Sequence, residues 1–205
     1  SITKIIQAKR ESLMNIGFDI DGVLTDFEKF VIEYGQKYLN KKPENYNGLE
    51  IAEVFGVDKS LENSFWRDLI FEYSTSYNAR PGTSETFQKL RNDGHKIFII
   101  TNRCTDLSYC DIDKETMKQY VQKWLDDENI CYDEIVFNEF KSKLRSCQER
   151  HINIMIEDQL DHIEELSPHL KAICFKSSYN KNSNIPDLTY CESMSELYEI
   201  IRNLK

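Results

Sequence analysis

Residues that interrupt regular structure are scarce: the 205-residue chain has only 7 glycines and 4 prolines, which argues against long flexible linkers. Basic residues are outnumbered too, since 26 Lys and Arg face 35 Asp and Glu and leave a net charge of −9. That deficit argues against a nucleic-acid polymer as a partner, because phosphates need an excess of cations. A small anionic ligand needs only local positive charge.

Long apolar runs and paired cysteines are absent as well. No stretch approaches the roughly 18 apolar residues of a membrane span, and no signal-peptide pattern is present. The 6 cysteines form no C-x-x-C pair and no spacing typical of a metal site, and several lie in apolar runs such as AICF (172–175). We therefore expect reduced, mostly buried thiols in a cytoplasmic protein without a membrane partner, and we favour this over disulfides. The oligomeric state is not indicated.

The sequence does contain a regular alternation of apolar runs and amphipathic segments. The opening run NIGF is followed by the runs KIFII (96–100), EIVF (134–137), INIMI (152–156) and KAICF (171–175), with helical spacing in 83–93, 114–129, 141–150, 159–167 and 193–204. This alternation predicts right-handed crossovers and an α/β fold, a doubly wound parallel sheet. Ligands are expected at the carboxyl ends of its strands. The polar segment 176–187 is expected to be a surface loop before a last short strand, LTYC.

Residues 27–79 interrupt this alternation. They carry helical patterns, such as FEKFVIEYGQKYL, and no obvious strand before the Pro81-Gly82 turn. We interpret 27–79 as a helical insertion hinged near Asp26 and Pro81, lying as a cap above the active edge of a core formed by 14–26 and 80–205.

The segment ahead of the first strand stands apart. Met14 would be a natural start, so residues 1–13 are expected to be an N-terminal extension. An amphipathic helix, an expression remnant and the tail of a preceding domain are the three interpretations.

The opening run leads into NIGFDIDGVLTD (15–26), which concentrates carboxylates where a strand ends. Like charges this close repel one another, so a bound cation, a reacting phosphate or merely a solvated turn must explain them. A calcium loop fails on spacing, because the fifth position counted from Asp19 is Val23. Asp19 and Asp21 point to the same side of the strand, so one carboxylate could be a nucleophile and hold Mg²⁺ while the other exchanges protons.

Polar residues also follow two other predicted strands. FIITNR places Thr101 and Asn102 at a strand end, where a hydroxyl and an amide could hold phosphoryl oxygens, and IMIEDQLD places Glu157 and Asp158 at another. Lys143 lies between them in FKSKL and could supply the cation that a phosphate needs. Taken singly, these residues have plainer explanations as helix caps, turns or a solvated lysine.

Together the strand endings resemble the haloacid-dehalogenase-like (HAD) phosphatase superfamily over about 14–175. DIDGVLTD looks like its first motif, Thr101 like its second, Lys143 like its third and IEDQLD like its fourth. The resemblance implies a Rossmann-like core and a Mg²⁺-dependent phosphatase. It implies that Asp19 attacks phosphorus to give an aspartyl-phosphate, while Asp21 protonates the departing alkoxide and then deprotonates the hydrolytic water.

The resemblance also implies how the cofactor and the phosphate are held. Mg²⁺ would be bound by the Asp19 carboxylate, the main-chain carbonyl of Asp21 and Asp158, and the phosphoryl group by Thr101 and Lys143. Asn102 is a further candidate phosphate ligand. Lys141 competes with Lys143, which is preferred because its spacing to Asp158 suits an intervening helix and strand. Glu157 and Asp161 are expected outside the primary metal ligands.

Within the superfamily the chain looks most like the 5′(3′)-deoxyribonucleotidase (5′-nucleotidase type C) group and its bacterial relatives. The helical insertion, the passage 79–103 and the IED ending carry this likeness, although that group often has Asp where Glu157 stands. The resemblance implies a phosphomonoesterase that acts on a small metabolite such as a (deoxy)nucleoside monophosphate. The alternatives are a sugar-phosphate phosphatase or a phosphomutase on the same scaffold, and a non-catalytic binding or regulatory domain.

Two further groups of residues could contact the substrate. Arg103 and Arg80 are candidates for binding a second anionic group, with surface salt bridges as the plainer explanation. Six aromatic residues of the insertion could stack on a base but at helical spacing more often form its own core: Phe27, Phe30, Trp66, Phe71, Tyr73 and Tyr77.

Overall fold

A computed structural model of the chain describes residues 13–204. Apart from Leu13, the predicted N-terminal extension at 1–13 lies outside these residues. A single sheet contains the strands β1 (Asn15–Phe18), β2 (Lys96–Thr101), β3 (Glu134–Phe137), β4 (Ile154–Glu157), β5 (Lys171–Phe175) and β6 (Thr189–Cys191). Its order is β3-β2-β1-β4-β5-β6, and every neighbouring pair is parallel.

Helices connect the first five strands. Several of the helices begin at acidic or hydroxyl caps, as where Asp113 accepts a hydrogen bond from the backbone N–H of Thr116 at 2.7 Å. Their bounds are α1 (Phe27–Leu39), α2 (Ile51–Phe55), α3 (Lys59–Thr75), α4 (Thr83–Asn92), α5 (Lys114–Asp127), α6 (Leu144–Glu149), α7 (Leu160–Leu166) and α8 (Met194–Arg202).

Both faces of the sheet are covered, as alternation along β2 shows. Ile97 and Ile99 pack into the core that contains apolar residues of α4, α5 and α8. Phe98 and Ile100 pack on the other face, with apolar residues of α6 and α7. Successive strand residues point to opposite faces, so a strand buried on both sides must be apolar throughout. The predicted doubly wound parallel α/β fold is confirmed.

Three helices, α1 to α3, occupy the segment 27–79, called here the helical segment. The two ends of this segment lie side by side. Thr25 and Ala79 form an antiparallel bridge, and the Arg80 N–H donates to the Leu24 carbonyl at 2.7 Å. The aromatic rings of Phe30 and Phe65 are fully buried within it. The interpretation of this segment as a cap stays a prediction.

The cysteines follow the sequence-based expectation for the most part. Cys104, Cys147, Cys174 and Cys191 are buried, and Cys131 is exposed. Within residues 13–204 no helix combines the length and apolar character that crossing a bilayer requires.

Candidate active site

The chain leaves β1 at Asp19 through one wide turn, Ile20–Leu24, that passes over the end of β4. Gly22 adopts a φ of 77°, the left-handed region that favours glycine. A Cβ atom on Gly22 would lie 2.0 Å from Oδ2 of Asp158. Glycine therefore allows the turn to pass directly over the Asp158 carboxylate.

Asp19 lies at the base of this turn, 4% exposed, and its Oδ1 is 2.8 Å from Nζ of Lys143. The same ammonium group contacts Oε2 of Glu157 at 2.6 Å, so two buried acids share one cation. Burial raises the pKa of Asp19 to about 7, since the favourable charge of Lys143 is offset in part by the negative charges of Glu157 and Asp21. Asp19 is thus a buried carboxylate held beside a lysine.

Glu157 anchors that lysine from the end of β4. Its side chain is fully buried and accepts hydrogen bonds from Lys143 and from the backbone N–H groups of Asp158 and Gln159, at 3.0 and 3.2 Å. Burial alone would raise the pKa of Glu157, but the charge of Lys143 and the neighbouring His162, with the hydrogen bond to Asp158, hold it well below its usual range. The imidazole of His162 lies 3.5 Å from the same carboxylate.

Asp158 is buried beside them and is only partly satisfied. Its Oδ2 accepts a short hydrogen bond from the hydroxyl of Tyr179, and its carbonyl accepts from Asn180 at 2.7 Å. Within residues 13–204, its Oδ1 is buried and has no hydrogen-bond partner. Burial and the neighbouring charges of Glu157 and Asp19 raise the pKa of Asp158 well above its ordinary value.

Carboxylate oxygens of Asp19, Glu157 and Asp158 all lie within 4.8 Å of one another. Lys143 compensates only one of these three negative charges when all are ionised. Oxygen ligands, residual negative charge and an unpartnered Oδ1 are what a hard divalent cation prefers, so the residues fit Mg²⁺.

Asp21 contacts other partners, one from the helical segment and one from the loop after β2. The Arg103 guanidinium donates from Nε to both carboxylate oxygens at 3.1 Å and from Nη2 to Oδ1 at 2.7 Å. The hydroxyl of Tyr73, in α3, donates to the same Oδ1 at 2.6 Å. Burial acts to raise the pKa of Asp21, but the charge and hydrogen bonds of Arg103, with that of Tyr73, leave it below the ordinary value.

The two arginines considered for a second substrate anion both have carboxylate partners. Arg103 is 9% exposed and pairs with Asp21. Arg80 contacts Oδ2 of Asp26 at 3.2 Å and donates to the Gly22 carbonyl at 3.2 Å. Both arginines therefore form salt bridges, the alternative to binding a second substrate anion. The salt bridge of Arg103 is buried rather than at the surface.

Thr101 and Asn102 lie at the end of β2, next to β1. Thr101 is fully buried, and its hydroxyl accepts from the Arg103 N–H at 3.3 Å. The Asn102 amide donates to the Lys141 carbonyl at 2.8 Å and accepts from the Asn138 side chain at 2.8 Å. Asn102 thus holds the loop that follows β3, and its role as a phosphate ligand stays a prediction.

The structure separates the two competing lysines. The side chain of Lys143 is 1% exposed and contacts Asp19. That of Lys141 is 73% exposed and pairs with Asp161 at 2.8 Å. Of the two, Lys143 is the lysine placed at the carboxylate cluster.

A cavity of about 410 Å³ opens beside Asp21, between the helical segment and the loop after β2. Of the six aromatic residues proposed for base stacking, Phe27, Trp66 and Tyr73 are among those that line it. Phe30 is buried in the core and Phe71 is 57% exposed. The cavity also presents charged and polar side chains: Glu50, Lys59, Glu62, Asn63, Asp106, Ser108 and Tyr109.

Sequence reasoning missed Tyr179 and Asn180. Both lie in the polar segment expected to be only a surface loop, yet Asn180 is 1% exposed and both side chains hydrogen-bond to Asp158. The hydropathy of this polar segment does not indicate that two of its side chains contact Asp158. The contact of Tyr73 with Asp21 was also missed, because α3 meets the turn only in the folded chain.

Known proteins resemble the chain over nearly its whole length. The sequence profile of the family described as 5′ nucleotidase, deoxy (Pyrimidine), cytosolic type C protein matches residues 12–205. A Bacillus cereus protein with the provisional name nucleotidase is 31% identical over 199 residues, 92% of this chain and 98% of its own length. A Chlorobaculum tepidum protein with the provisional name 5′(3′)-deoxyribonucleotidase is 27% identical over 194 residues, 91% of this chain and 89% of its own length.

Among solved structures, that of a predicted phosphatase from Clostridium acetobutylicum superposes with a TM-score of 0.63 at 21% identity. It covers 94% of this chain and 100% of that chain. The shared fold therefore includes nearly all of the chain.

Proposed function

The chain belongs to the family of 5′ nucleotidase, deoxy (Pyrimidine), cytosolic type C proteins and is a HAD-like phosphatase, and we propose that it hydrolyses a nucleoside monophosphate through an aspartyl-phosphate with Mg²⁺. The observation that carries the proposal is the buried Asp19 carboxylate, which contacts Lys143 and lies within a cluster of three acids. The resemblance to the superfamily and to this group is confirmed.

Asp19 is the proposed nucleophile. One of its oxygens attacks phosphorus, the bond from phosphorus to the leaving oxygen breaks, and water then cleaves the aspartyl-phosphate. Its burial excludes bulk water, and the contact with Lys143 keeps the carboxylate fixed. Lys143 and Thr101 are the proposed ligands of the transferring phosphoryl group, since an ammonium and a hydroxyl at the same sheet edge can neutralise and bond its oxygens.

Asp21 is the proposed acid and base. It donates a proton to the leaving oxygen in the first half-reaction and recovers one from the attacking water in the second, so the proton balance closes over one turnover. Arg103 favours its ionised form before substrate binds. The negative charge of a bound phosphate opposes this effect and favours the protonated form.

The proposed metal ligands are the carboxylates of Asp19 and Asp158 and the main-chain carbonyl of Asp21. The unpartnered Oδ1 of Asp158 supports this assignment. Bound Mg²⁺ would neutralise charge on the phosphoryl oxygens. Glu157 is assigned to anchoring Lys143, because its two oxygens already accept from that lysine and from two backbone N–H groups.

The cavity beside Asp21 is the proposed site of the leaving group, with the helical segment as its cap. The flat faces of Phe27 and Trp66 suit a nucleobase. Among the described residues, the two cations that line the cavity are both neutralised, Arg103 by Asp21 and Lys59 by Glu62. This charge arrangement favours a nucleoside monophosphate over a sugar bisphosphate, whose second phosphate would lack a cation.

Phosphate release tests the proposal. We expect Mg²⁺-dependent hydrolysis of deoxynucleoside monophosphates, inhibition by a chelator, and loss of turnover in Asp19→Asn, which retains the shape of the side chain. Sugar monophosphates and nucleoside 3′,5′-bisphosphates form the comparison panel and should react more slowly. Equal rates in the native protein and in Asp19→Asn would overturn the mechanism, and faster hydrolysis of sugar phosphates would overturn the substrate assignment.

A further inference from the structure

The hydroxyl of Tyr73 joins the helical segment to the turn that carries Asp21. It donates to Oδ1 of Asp21 at 2.6 Å and accepts from the hydroxyl of Thr25 at 2.7 Å. Tyr73 is 2% exposed and Thr25 is fully buried. A hydrogen bond shielded from water in this way fixes orientation more strongly than one at the surface.

Arg103 holds the same carboxylate from the core. Its guanidinium bonds both oxygens of Asp21, a two-point contact that fixes the plane of the carboxylate as well as its position. The guanidinium also lies over the ring of Tyr73, 4.9 Å from its centroid. The carboxylate is therefore held by two side chains that also contact each other.

Tyr73 cannot turn away without moving its helix. Its ring centroid lies 4.6 Å from that of Phe30, 5.6 Å from that of Trp66 and 6.0 Å from that of Phe27. Because these rings belong to α1 and α3, the position of the hydroxyl follows the position of the helical segment on the core. Tyr73 therefore contacts Asp21 only while the helical segment is packed against the core.

We propose that Tyr73 and Arg103 are positioning residues for Asp21. Through Tyr73, proton transfer by Asp21 depends on the packing of the helical segment against the core. This inference rests on the proposed function, in which Asp21 exchanges a proton with the leaving oxygen. Proton donation is then efficient only when the cavity is enclosed, which couples substrate enclosure to the first half-reaction.

A comparison of two substrates with different leaving groups distinguishes a positioning role of Tyr73 from a merely structural one. An alkyl leaving oxygen, as in a nucleoside 5′-monophosphate, departs as a strong base and needs the proton of Asp21. The oxygen of p-nitrophenyl phosphate departs as a weakly basic phenolate and needs it much less. The kcat/KM value covers the steps through formation of the aspartyl-phosphate, so the ratio of the two values measures proton donation. It is independent of the fraction of correctly folded enzyme in a preparation.

The decisive variant is Tyr73→Phe, which removes only the hydroxyl. We expect kcat/KM for the nucleotide to fall by about 10- to 100-fold, within the range of general acid catalysis, and that for p-nitrophenyl phosphate by less than about 3-fold. Arg103→Met should shift the ratio in the same direction. Tyr38→Phe is the matched control: it removes a tyrosine hydroxyl that donates to Asp68 at 2.7 Å, on the same helical segment but away from Asp21, and should leave the ratio unchanged.

A second measurement uses the Asp21→Asn background. If Tyr73 acts through Asp21, adding Tyr73→Phe to Asp21→Asn produces no further change in the ratio. An equal loss with both substrates in Tyr73→Phe, or full additivity in the double variant, overturns the inference. Activity that survives in Asp19→Asn instead overturns the proposed function, so the two failures are distinguishable.

Discussion

At the scale of single residues, the site depends on one ammonium group shared by two buried acids. Lys143 contacts Asp19 and Glu157, and neither acid is exposed enough for water to replace that contact. The two carboxylates hold the pKa of Lys143 above its ordinary value despite burial, which lowers it. The two carboxylates therefore favour the charged form of the lysine, which can offset the charge of a bound phosphate.

Lys143→Met and Lys141→Met form a matched pair of variants that differ in burial. Lys143→Met should lower phosphatase activity at least about 100-fold, the cost of removing one charge-stabilising group. It should also destabilise the fold by about 3–5 kcal/mol, because two buried carboxylates lose their partner. Lys141→Met removes only an exposed pair with Asp161 and should change stability by less than about 1 kcal/mol.

Steady-state rates and urea unfolding measure these two effects. The destabilisation by Lys143→Met should diminish at low pH, where the unpaired carboxylates are protonated. Similar behaviour of the two variants would contradict the placement of Lys143 in the cluster.

At the scale of elements, two glycines allow the backbone to approach the side chains of neighbouring elements closely. The turn after β1 passes over Asp158 at Gly22, where a Cβ atom would collide with the carboxylate. In α1, a Cβ atom on Gly35 would lie 2.3 Å from Cε2 of Phe55, at the end of α2. Gly35 gives up helix propensity for this close contact, whereas at Gly22 the positive φ itself favours glycine.

Gly22→Ala should affect the site more than the core. We expect a loss of about 1–3 kcal/mol from the positive φ and a displaced Asp158 carboxylate, together with weaker Mg²⁺ binding. Isothermal titration with Mg²⁺ and urea unfolding are the measurements. Unchanged Mg²⁺ affinity in a stably folded Gly22→Ala would show that the approach of this turn does not shape the metal site.

Gly35→Ala tests packing against propensity. Alanine is favoured over glycine within a helix by about 1 kcal/mol, yet overpacking costs about 1–3 kcal/mol. Since Phe55 is fully buried and cannot easily withdraw, we expect net destabilisation in urea unfolding. Glu33→Ala, at an exposed position of the same helix, is the control and should be nearly neutral. A stabilised Gly35→Ala would mean that α1 and α2 can separate at little cost.

At the scale of the whole molecule, the sheet order brings distant parts of the chain to one edge. The β1 strand pairs with both β2 and β4, so Asp19, Thr101 and Asp158 meet although more than a hundred residues separate the first from the last. The cluster concentrates negative charge in the core. Its members therefore couple the stability of the fold to pH and, if the proposed function is correct, to metal.

Mg²⁺ should stabilise the protein more at pH 8 than at pH 6. Asp19 has a folded pKa of about 7, above its ordinary value of 3.8. Without metal, the folded state binds more protons than the unfolded state, and this contribution to stability is lost as the pH rises through about 7. Mg²⁺ binds the deprotonated acids, so protons compete with it at pH 6.

The measurement is the increase in Tm caused by Mg²⁺ at the two pH values. Asp158→Asn should abolish the increase, and the exposed Asp127→Asn should retain it. An Mg²⁺-induced increase that is larger at pH 6 than at pH 8 would contradict the assignment of the raised pKa to the metal site.

Local pattern allowed much of the fold to be predicted. The continuous apolar run KIFII and the helical spacing of the intervening segments correctly indicated a parallel sheet covered on both faces, because a strand buried on both faces is apolar throughout. The motifs after the strands also indicated that Asp19, Lys143 and Asp158 share a site. The inward course of Tyr179 and Asn180 was not predicted, since these polar residues form their hydrogen bonds only with a carboxylate on another element.

The sequence by itself determined the alternation of strands and helices, the acids at the strand ends and the family to which the chain belongs. Only the tertiary structure placed Lys143 in the carboxylate cluster and Lys141 at the surface, and only it showed that Arg103 and Tyr73 contact Asp21. The physical reason is the range of the interactions involved. The spacing of apolar residues that predicts a strand or a helix involves residues near one another in the sequence. An ion pair or a buried hydrogen bond depends instead on which elements the sheet places side by side.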